Sequence, residues 1–272
     1  MSQTLPARPT ALELLDRRGF CILPEVIPPQ RVADIRQEVL TVVAAHRAES
    51  APPQVGFVPG LINHSRCFAP YLVEPRLAAL LTALLGLHLR ISFTSAIVNE
   101  PGNQRGGWHA DWPFKQTNAG HIPAPYPDLR MHVTTLWMLS PFSAENGGTL
   151  VVPASHRRSS NPSADAAGDA HRSLPEEIQI TGEAGSLLVM DSRLWHATAP
   201  NQTQEPRVAL AIRYAPWWLN LEVLRPESAE RQRMCRESGR DDNRVPSVPD
   251  AVYAQLPATV QPLFQHWRES SR

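Results

Sequence analysis

Residues 185–214 read GSLLVMDSRLWHATAPNQTQEPRVALAIRY. The run 186–190 is apolar after Ser186 and follows a Gly-bounded turn at 182–185, so it predicts a strand. Residues 207–214 alternate instead: Arg207, Ala209, Ala211 and Arg213 share one face, and Val208, Leu210 and Ile212 share the other. Between these two strands lie a polar turn holding His196 and a second turn at 201–206 that ends on Pro206. Strand, turn and strand with no helix between them predict a β core.

The same period continues upstream. Leu89, Ile91 and Phe93 alternate with polar residues, and further strands are expected at 131–139, 149–152 and 178–180, with a turn at Glu145-Asn146-Gly147-Gly148. Helical signals sit on the flanks. Thr10 and Glu13 form a capping box, and Pro28-Pro29 opens a second helix running to about residue 48. A third helix spans 75–85 and stops at Gly86. The expectation is one domain over 1–272: a helical part at about 8–86, a β core at about 87–218 and a helical tail at about 219–272. Helices, then strands, then a helical tail suit a sandwich or barrel with helices packed outside. Trp217 and Trp218 are expected to pack the C-terminal part, with a pocket wall as the alternative.

Composition excludes several classes. With 26 basic and 26 acidic side chains the formal charge is zero, and no basic stripe suggests nucleic acid or an anionic membrane as partner. The three cysteines are scattered, which fits a reduced, cytoplasmic setting better than a disulfide framework. The N-terminal residues lack a signal core, and no apolar run approaches the roughly 18 residues of a membrane span. A small-molecule substrate and a monomer or homodimer are expected. No GxGxxG, GxxxxGK[ST], GxSxG or HExxH occurs.

The stretch GGWHADWPF (106–114) adds chemistry. In extended backbone residues i and i+2 point the same way, so His109 and Asp111 present two ligands to one point while Ala110 turns aside. Among ten histidines, His196 is the candidate third ligand, because it follows a strand in a turn at a barrel mouth. Two imidazoles and one carboxylate on one face of a metal leave the other face open, as in non-heme iron oxygenases. Zinc hydrolases use a similar set and remain an alternative. So does a non-catalytic barrel with a structural metal. Arg207, beside two alanines, has room to anchor a dicarboxylate bidentately, whereas Arg213 reads as the charged end of a surface face. Segments 115–130 and 157–173 read as surface loops or as lids over a pocket.

WHADWP (108–113), TTLWMLSPF (134–142), ENGGTLVVPASHR (145–157), the turn at 185–201 and Arg207 together resemble the phytanoyl-CoA dioxygenase family. The resemblance covers roughly residues 10–218. It implies a double-stranded β-helix (jelly-roll) core, Fe(II), 2-oxoglutarate and dioxygen. It implies His109, Asp111 and His196 as metal ligands and catalytic centre, with Arg207 on the distal carboxylate of 2-oxoglutarate. Trp137 and Thr198 resemble residues that contact the cosubstrate, with core packing and a turn hydroxyl as their alternatives, while Asn99 and Trp112 are expected to face the substrate or to serve the structure. Many relatives carry a hydroxyl two residues after that arginine, and this chain has Ala209. Halogenases of the broad class lose the metal carboxylate, so Asp111 favours hydroxylation of a small metabolite with release of succinate and CO2.

Overall fold

The Thr10 box closes as its spacing requires. The Glu13 amide donates to Thr10 Oγ1 at 3.2 Å, and the Thr10 amide donates to Glu13 Oε2 at 2.6 Å. It opens α1 (Ala11–Arg18), which Gly19 ends in the left-handed conformation at φ 83°. The computed structural model describes residues 9–112, 129–160, 162, 169–239 and 244–271. The elements that follow are β1 (Phe20–Leu23), α2 (Pro29–His46), β2 (Val55–Pro59), α3 (Pro75–Leu85), β3 (Arg90–Asn99) and β4 (Val133–Met138). After them come β5 (Leu150–Val151), β6 (Ile178–Gln179), β7 (Leu187–Asp191), β8 (His196–Ala197) and β9 (Arg207–Ala215). The tail holds α4 (Ala229–Ser238), α5 (Asp250–Tyr253) and α6 (Gln261–Phe264).

The strands form a six-stranded sheet in the order β1-β7-β4-β9-β3-β2 and a three-stranded sheet in the order β6-β5-β8. All pairings within them are antiparallel. The two sheets enclose a small interior core of Leu136, Met138, Phe142, Val151, Ile180, Leu188, Met190, Ala209 and Ala211. Val133, Trp137, Leu187, Val189, Val208, Leu210 and Ile212 have the opposite parity and join the larger core with the buried stripe of α2 and with α3. Strand alternation thus separates a helix-facing side from an inward side. This is the double-stranded β-helix, or jelly roll, with flanking helices. Gly147, in the turn before β5, sits at φ 81°, and a Cβ there would stand 2.7 Å from the Ala199 carbonyl oxygen. The ENGG turn therefore packs directly on the segment that leaves β8.

Several expectations are corrected. The N-terminal stretch is not purely helical, since β1 and β2 sit at the two edges of the larger sheet. β3 runs six residues beyond Phe93, to Asn99. Trp137 does not face the roll interior: it is fully buried on the helix side, and its Nε1 donates to Thr135 Oγ1 at 3.0 Å. Its parity sets it there, because Thr134, Leu136 and Met138 take the inward positions. Trp217 and Trp218 are exposed by 55% and 46% and pack no core. Residues 115–128, 161 and 163–168 of the two loop expectations lie outside the described residues. Among the described residues no helix is long and apolar enough to cross a membrane.

Truncating a fully enclosed tryptophan removes packing that cannot collapse. Trp137→Ala is expected to cost about 3–5 kcal/mol in denaturant unfolding; a loss below about 1 kcal/mol would place the ring outside the core.

Candidate active site

Two strand ends meet at the mouth of the roll. The His109 amide donates to the His196 carbonyl at 3.1 Å, and the His196 amide returns the bond to the His109 carbonyl at 2.9 Å. This one antiparallel rung sets the two imidazoles side by side, with ring centroids 4.2 Å apart. Each ring is steered by a nearby carbonyl: His109 Nδ1 lies 3.0 Å from Gly107 O, and His196 Nδ1 lies 2.9 Å from Leu194 O. A carbonyl can only accept, so both Nδ1 atoms carry the proton and both Nε2 lone pairs face inward. Two residues past His109, the Asp111 amide donates to Ser192 O at 2.7 Å, which turns the carboxylate toward the same point. One ligand atom from each of His109, Asp111 and His196 lies within 4.8 Å of the others. That is a facial set of two nitrogens and one oxygen, suited to a first-row divalent metal with open positions opposite.

The turn that delivers His196 is held by charge. Asp191 accepts from Arg193 Nε at 2.9 Å, from Arg193 Nη2 at 2.7 Å and from the Arg193 amide at 3.0 Å. Asn201 pins the next turn, with its Nδ2 donating to Asn99 O at 3.0 Å and to Glu205 O at 2.8 Å. The chain then enters β9 at Arg207.

Asp111 is the most heavily hydrogen-bonded of the three candidate ligands. Arg213 Nη2 donates to Oδ1 at 2.6 Å, and Thr134 Oγ1 donates to Oδ2 at 2.7 Å. Burial alone would raise the Asp111 carboxyl, but Arg213 first, then His196, His109 and Thr134, hold it well below the usual carboxylate range. Behind Thr134 the bonding continues through Ser192 Oγ at 2.8 Å to His132 Nδ1 at 2.8 Å, and from His132 Nε2 to Ser92 Oγ at 2.7 Å. Burial, followed by Arg213, pushes His132 down to about 3. Burial, followed by His109, takes His196 down to about 4, so its ring is neutral at pH 7.

Arg213, Thr134, Ser192 and His132 were not among the expected site residues. The parity that puts Arg213 on the Ala209 face was legible; its carboxylate partner 102 residues away was not. Arg207 lies on that same inward face, 3% exposed. Its guanidinium carbon stands 4.6 Å from the centroid of the Phe142 ring. Among the described residues it has no carboxylate and no hydrogen-bond acceptor, and burial lowers it to about 10. Asn99 is fully buried directly opposite Arg207 in the β3–β9 register, not beside the triad. Trp112 lies next to Asp111, its ring centroid 6.3 Å from that of His132.

A cavity of about 940 Å³ comes within two residues of His109, at Gly107, and of His196, at Thr198, although neither histidine lines it. Gly106, Gly107 and Thr198 form the wall nearest the two histidines, and Val55, Phe57, Pro59 and Ile97 form an apolar wall from β2 and β3. The Phe57 ring stacks near Phe93 at 6.3 Å, and Phe93 lies 4.6 Å under the Arg213 guanidinium. Phe93 thus links the Phe57 ring to Arg213, though neither Phe93 nor Arg213 lines the cavity. Arg105, also at the wall, is neutralised by Glu177 through bonds of 3.1 and 2.7 Å.

The family model described as phytanoyl-CoA dioxygenase matches residues 15–209. A dioxygenase, af480, of Aspergillus fumigatus is 27% identical over 213 residues, covering 74% of this chain and 64% of that protein. An ectoine dioxygenase of Nocardia farcinica is 28% identical over 227 residues, covering 72% and 74%. Among solved structures, HygX from Streptomyces hygroscopicus with nickel and 2-oxoglutarate bound superposes with a TM-score of 0.64 at 19% identity, covering 77% of this chain and 87% of that one. The epimerase SnoN, in complex with Fe3+, alpha ketoglutarate and nogalamycin RO, gives 0.60 at 22%, covering 76% and 82%. At these identities the structural likeness carries the fold alone.

Two outcomes follow from the charges. Arg213→Met leaves Asp111 buried and unpaired, so the metal-free protein is expected to lose about 3 kcal/mol, with added Mn(II) narrowing the gap to the native chain. Equal melting temperatures without metal would remove the pair from the energetics. For His132 the folded value lies below the ordinary histidine value of 6.5, so the unfolded chain binds more protons between about 6.5 and 3. Stability should fall as pH drops through that window, and His132→Gln should fall less steeply; parallel melting curves at pH 7 and 4.5 would exclude the contribution.

Proposed function

Because this chain belongs to the phytanoyl-CoA dioxygenase family, we propose that it is an Fe(II)- and 2-oxoglutarate-dependent dioxygenase that hydroxylates a C–H bond of a small organic molecule. One observation carries the reading. A two-histidine, one-carboxylate cluster and a buried arginine lacking an acid lie within the same roll. Such a cation costs desolvation energy until an anion meets it. Both imidazoles turn Nε2 inward and Asp111 stays ionised at neutral pH, so the donor set fits a divalent iron.

In this reading His109, Asp111 and His196 hold the metal, and Arg207 grips the distal carboxylate of 2-oxoglutarate. When bound, iron, the 2-oxo acid and dioxygen supply the oxidant for a C–H bond, with succinate and CO2 as co-products. The chain's own residues position and shield. Arg213 and Thr134 occupy both oxygens of Asp111 and fix the plane of its carboxylate. Thr198, at the cavity wall two residues after His196, contacts the cosubstrate or substrate, and Trp112 stands beside the substrate entry.

The cavity supports a small-molecule substrate. Its volume lies in the range of small-ligand sites, and its largest continuous wall is apolar. No acidic side chain lines it among the described residues, which disfavours a polycationic substrate. Asp111 occupies the place where halogenation would need a small residue, which supports oxygen insertion.

The test uses purified protein with Fe(II), ascorbate and 2-oxoglutarate, read as succinate released. Asp111→Ala should abolish release, and Arg207→Ala should raise the 2-oxoglutarate requirement at least about tenfold. Full activity of Asp111→Ala overturns the ligand set. Turnover with zinc and no 2-oxoglutarate would assign a hydrolase instead.

A further inference from the structure

Among the described residues that line the large cavity, only Arg105 and Arg244 carry a fixed charge, and none is acidic. Arg105 is already matched. Its guanidinium donates to both oxygens of Glu177 at 3.1 and 2.7 Å, and its carbon lies 5.2 Å from the centroid of the Trp108 ring. His171, also on the lining, is tied by Nδ1 to the Arg105 carbonyl at 2.9 Å. Arg244 is different. It is exposed, and among the described residues it has no carboxylate, no hydrogen-bond acceptor and no aromatic ring as partner. The lining therefore keeps one uncompensated positive charge next to the apolar wall of Val55, Phe57, Pro59 and Ile97.

A free arginine on a surface is ordinary; the anchoring of this one is not. The chain directly after it is stitched to the body of the protein. The Val245 amide donates to Leu224 O at 3.0 Å, Trp267 Nε1 donates to Pro246 O at 2.9 Å, and Asn63 Nδ2 donates to Ser247 O at 2.9 Å. The Val248 amide adds a bond to Trp267 O at 2.9 Å. Pro246 packs on Gly60, which sits at φ 67° and where a Cβ would stand 3.0 Å from the proline ring. Gly60 directly follows Pro59, the last residue of β2. The tail thus delivers Arg244 to the end of the strand that builds the apolar wall. It does so from beyond residues 15–209, the span that the family model matches.

We infer that the substrate is an amphipathic carboxylate, its apolar body on the β2–β3 wall and its one anionic end on the Arg244 guanidinium. This rests on the oxygenase reading above and names the substrate class for that site. A guanidinium meets a carboxylate with two parallel N–H bonds, and the apolar body gains by leaving water. A neutral molecule of the same shape forgoes the ion pair, and an amine meets a like charge. An end held at Arg244 also limits which carbon of the body can reach Gly107 and Thr198, the lining residues next to the two histidines in the chain. Arg244 thereby helps to set both the class of substrate and the position oxidised.

The experiment is anaerobic equilibrium dialysis of the full chain against three probes that share one body: 1-naphthylacetate, 1-naphthylacetamide and 1-naphthylmethylammonium. Fe(II) and 2-oxoglutarate are present, so that the carboxylate probe does not compete for Arg207, and the weak visible charge-transfer band is read in the same sample. The native chain should bind the acetate at least about fivefold tighter than the acetamide, and the ammonium most weakly. Raising salt to about 0.5 M should narrow the difference. Arg244→Gln should bring acetate and acetamide within about twofold while leaving the acetamide affinity unchanged, and Arg244→Glu should place the ammonium first. Equal binding of acetate and acetamide by the native chain overturns the proposal. So does a preference for acetate that survives in Arg244→Gln, or no binding of any probe. A normal band without the acetate preference removes the proposal alone; an Arg244-dependent preference without the band keeps the anion site and removes the oxygenase reading.

Discussion

One reciprocal pair of backbone hydrogen bonds, between His109 and His196, joins segments 87 positions apart and makes a site of them. It is a rung of sheet that also fixes ring separation, because antiparallel neighbours point their side chains to the same side. Asp111 depends on it through the two-residue period. The Asp191–Arg193 lock and the Asn201 turn, on either side of His196, keep its strand in place. A shift of one residue in this rung would send both imidazoles to the opposite face.

Charge is distributed with the same economy. Asp111, Arg213 and Arg207 leave the inward face with one uncompensated positive charge. A divalent ion adds two positive charges and a dicarboxylate adds two negative ones. The ion alone would raise the enclosure to three positive charges, whereas both together return it to its starting balance. The chain is thus electrostatically suited to receive them as a set.

Much of this was legible in the sequence, and the failures have physical causes. The parity of His109 and Asp111, the choice of His196 and the alternation from Arg207 to Arg213 are local facts of extended backbone. The long strands β4, β7 and β9 followed from their periods. β1 was hidden because four apolar residues directly after a helix look like its continuation. β2 was hidden because Val55–Pro59 holds a glycine and a proline, residues tolerated in a strand at a sheet edge. β8 is two residues long and exists through its partners. Arg213 was read as a surface charge because nothing local announces a carboxylate brought in from another strand. Trp137 was carried by resemblance to the wrong face, although its alternation with Thr134 and Leu136 already pointed outward.

The apolar cavity wall comes from β2, which has only one strand neighbour, while every proposed metal ligand lies on other segments. An edge strand can change its side chains, or its length, and disturb a single ladder. In the proposed reading, the metal centre and the cavity wall that meets the substrate therefore fall on separate parts of the chain. Such a division lets descendants drift toward new substrates without first losing the reaction.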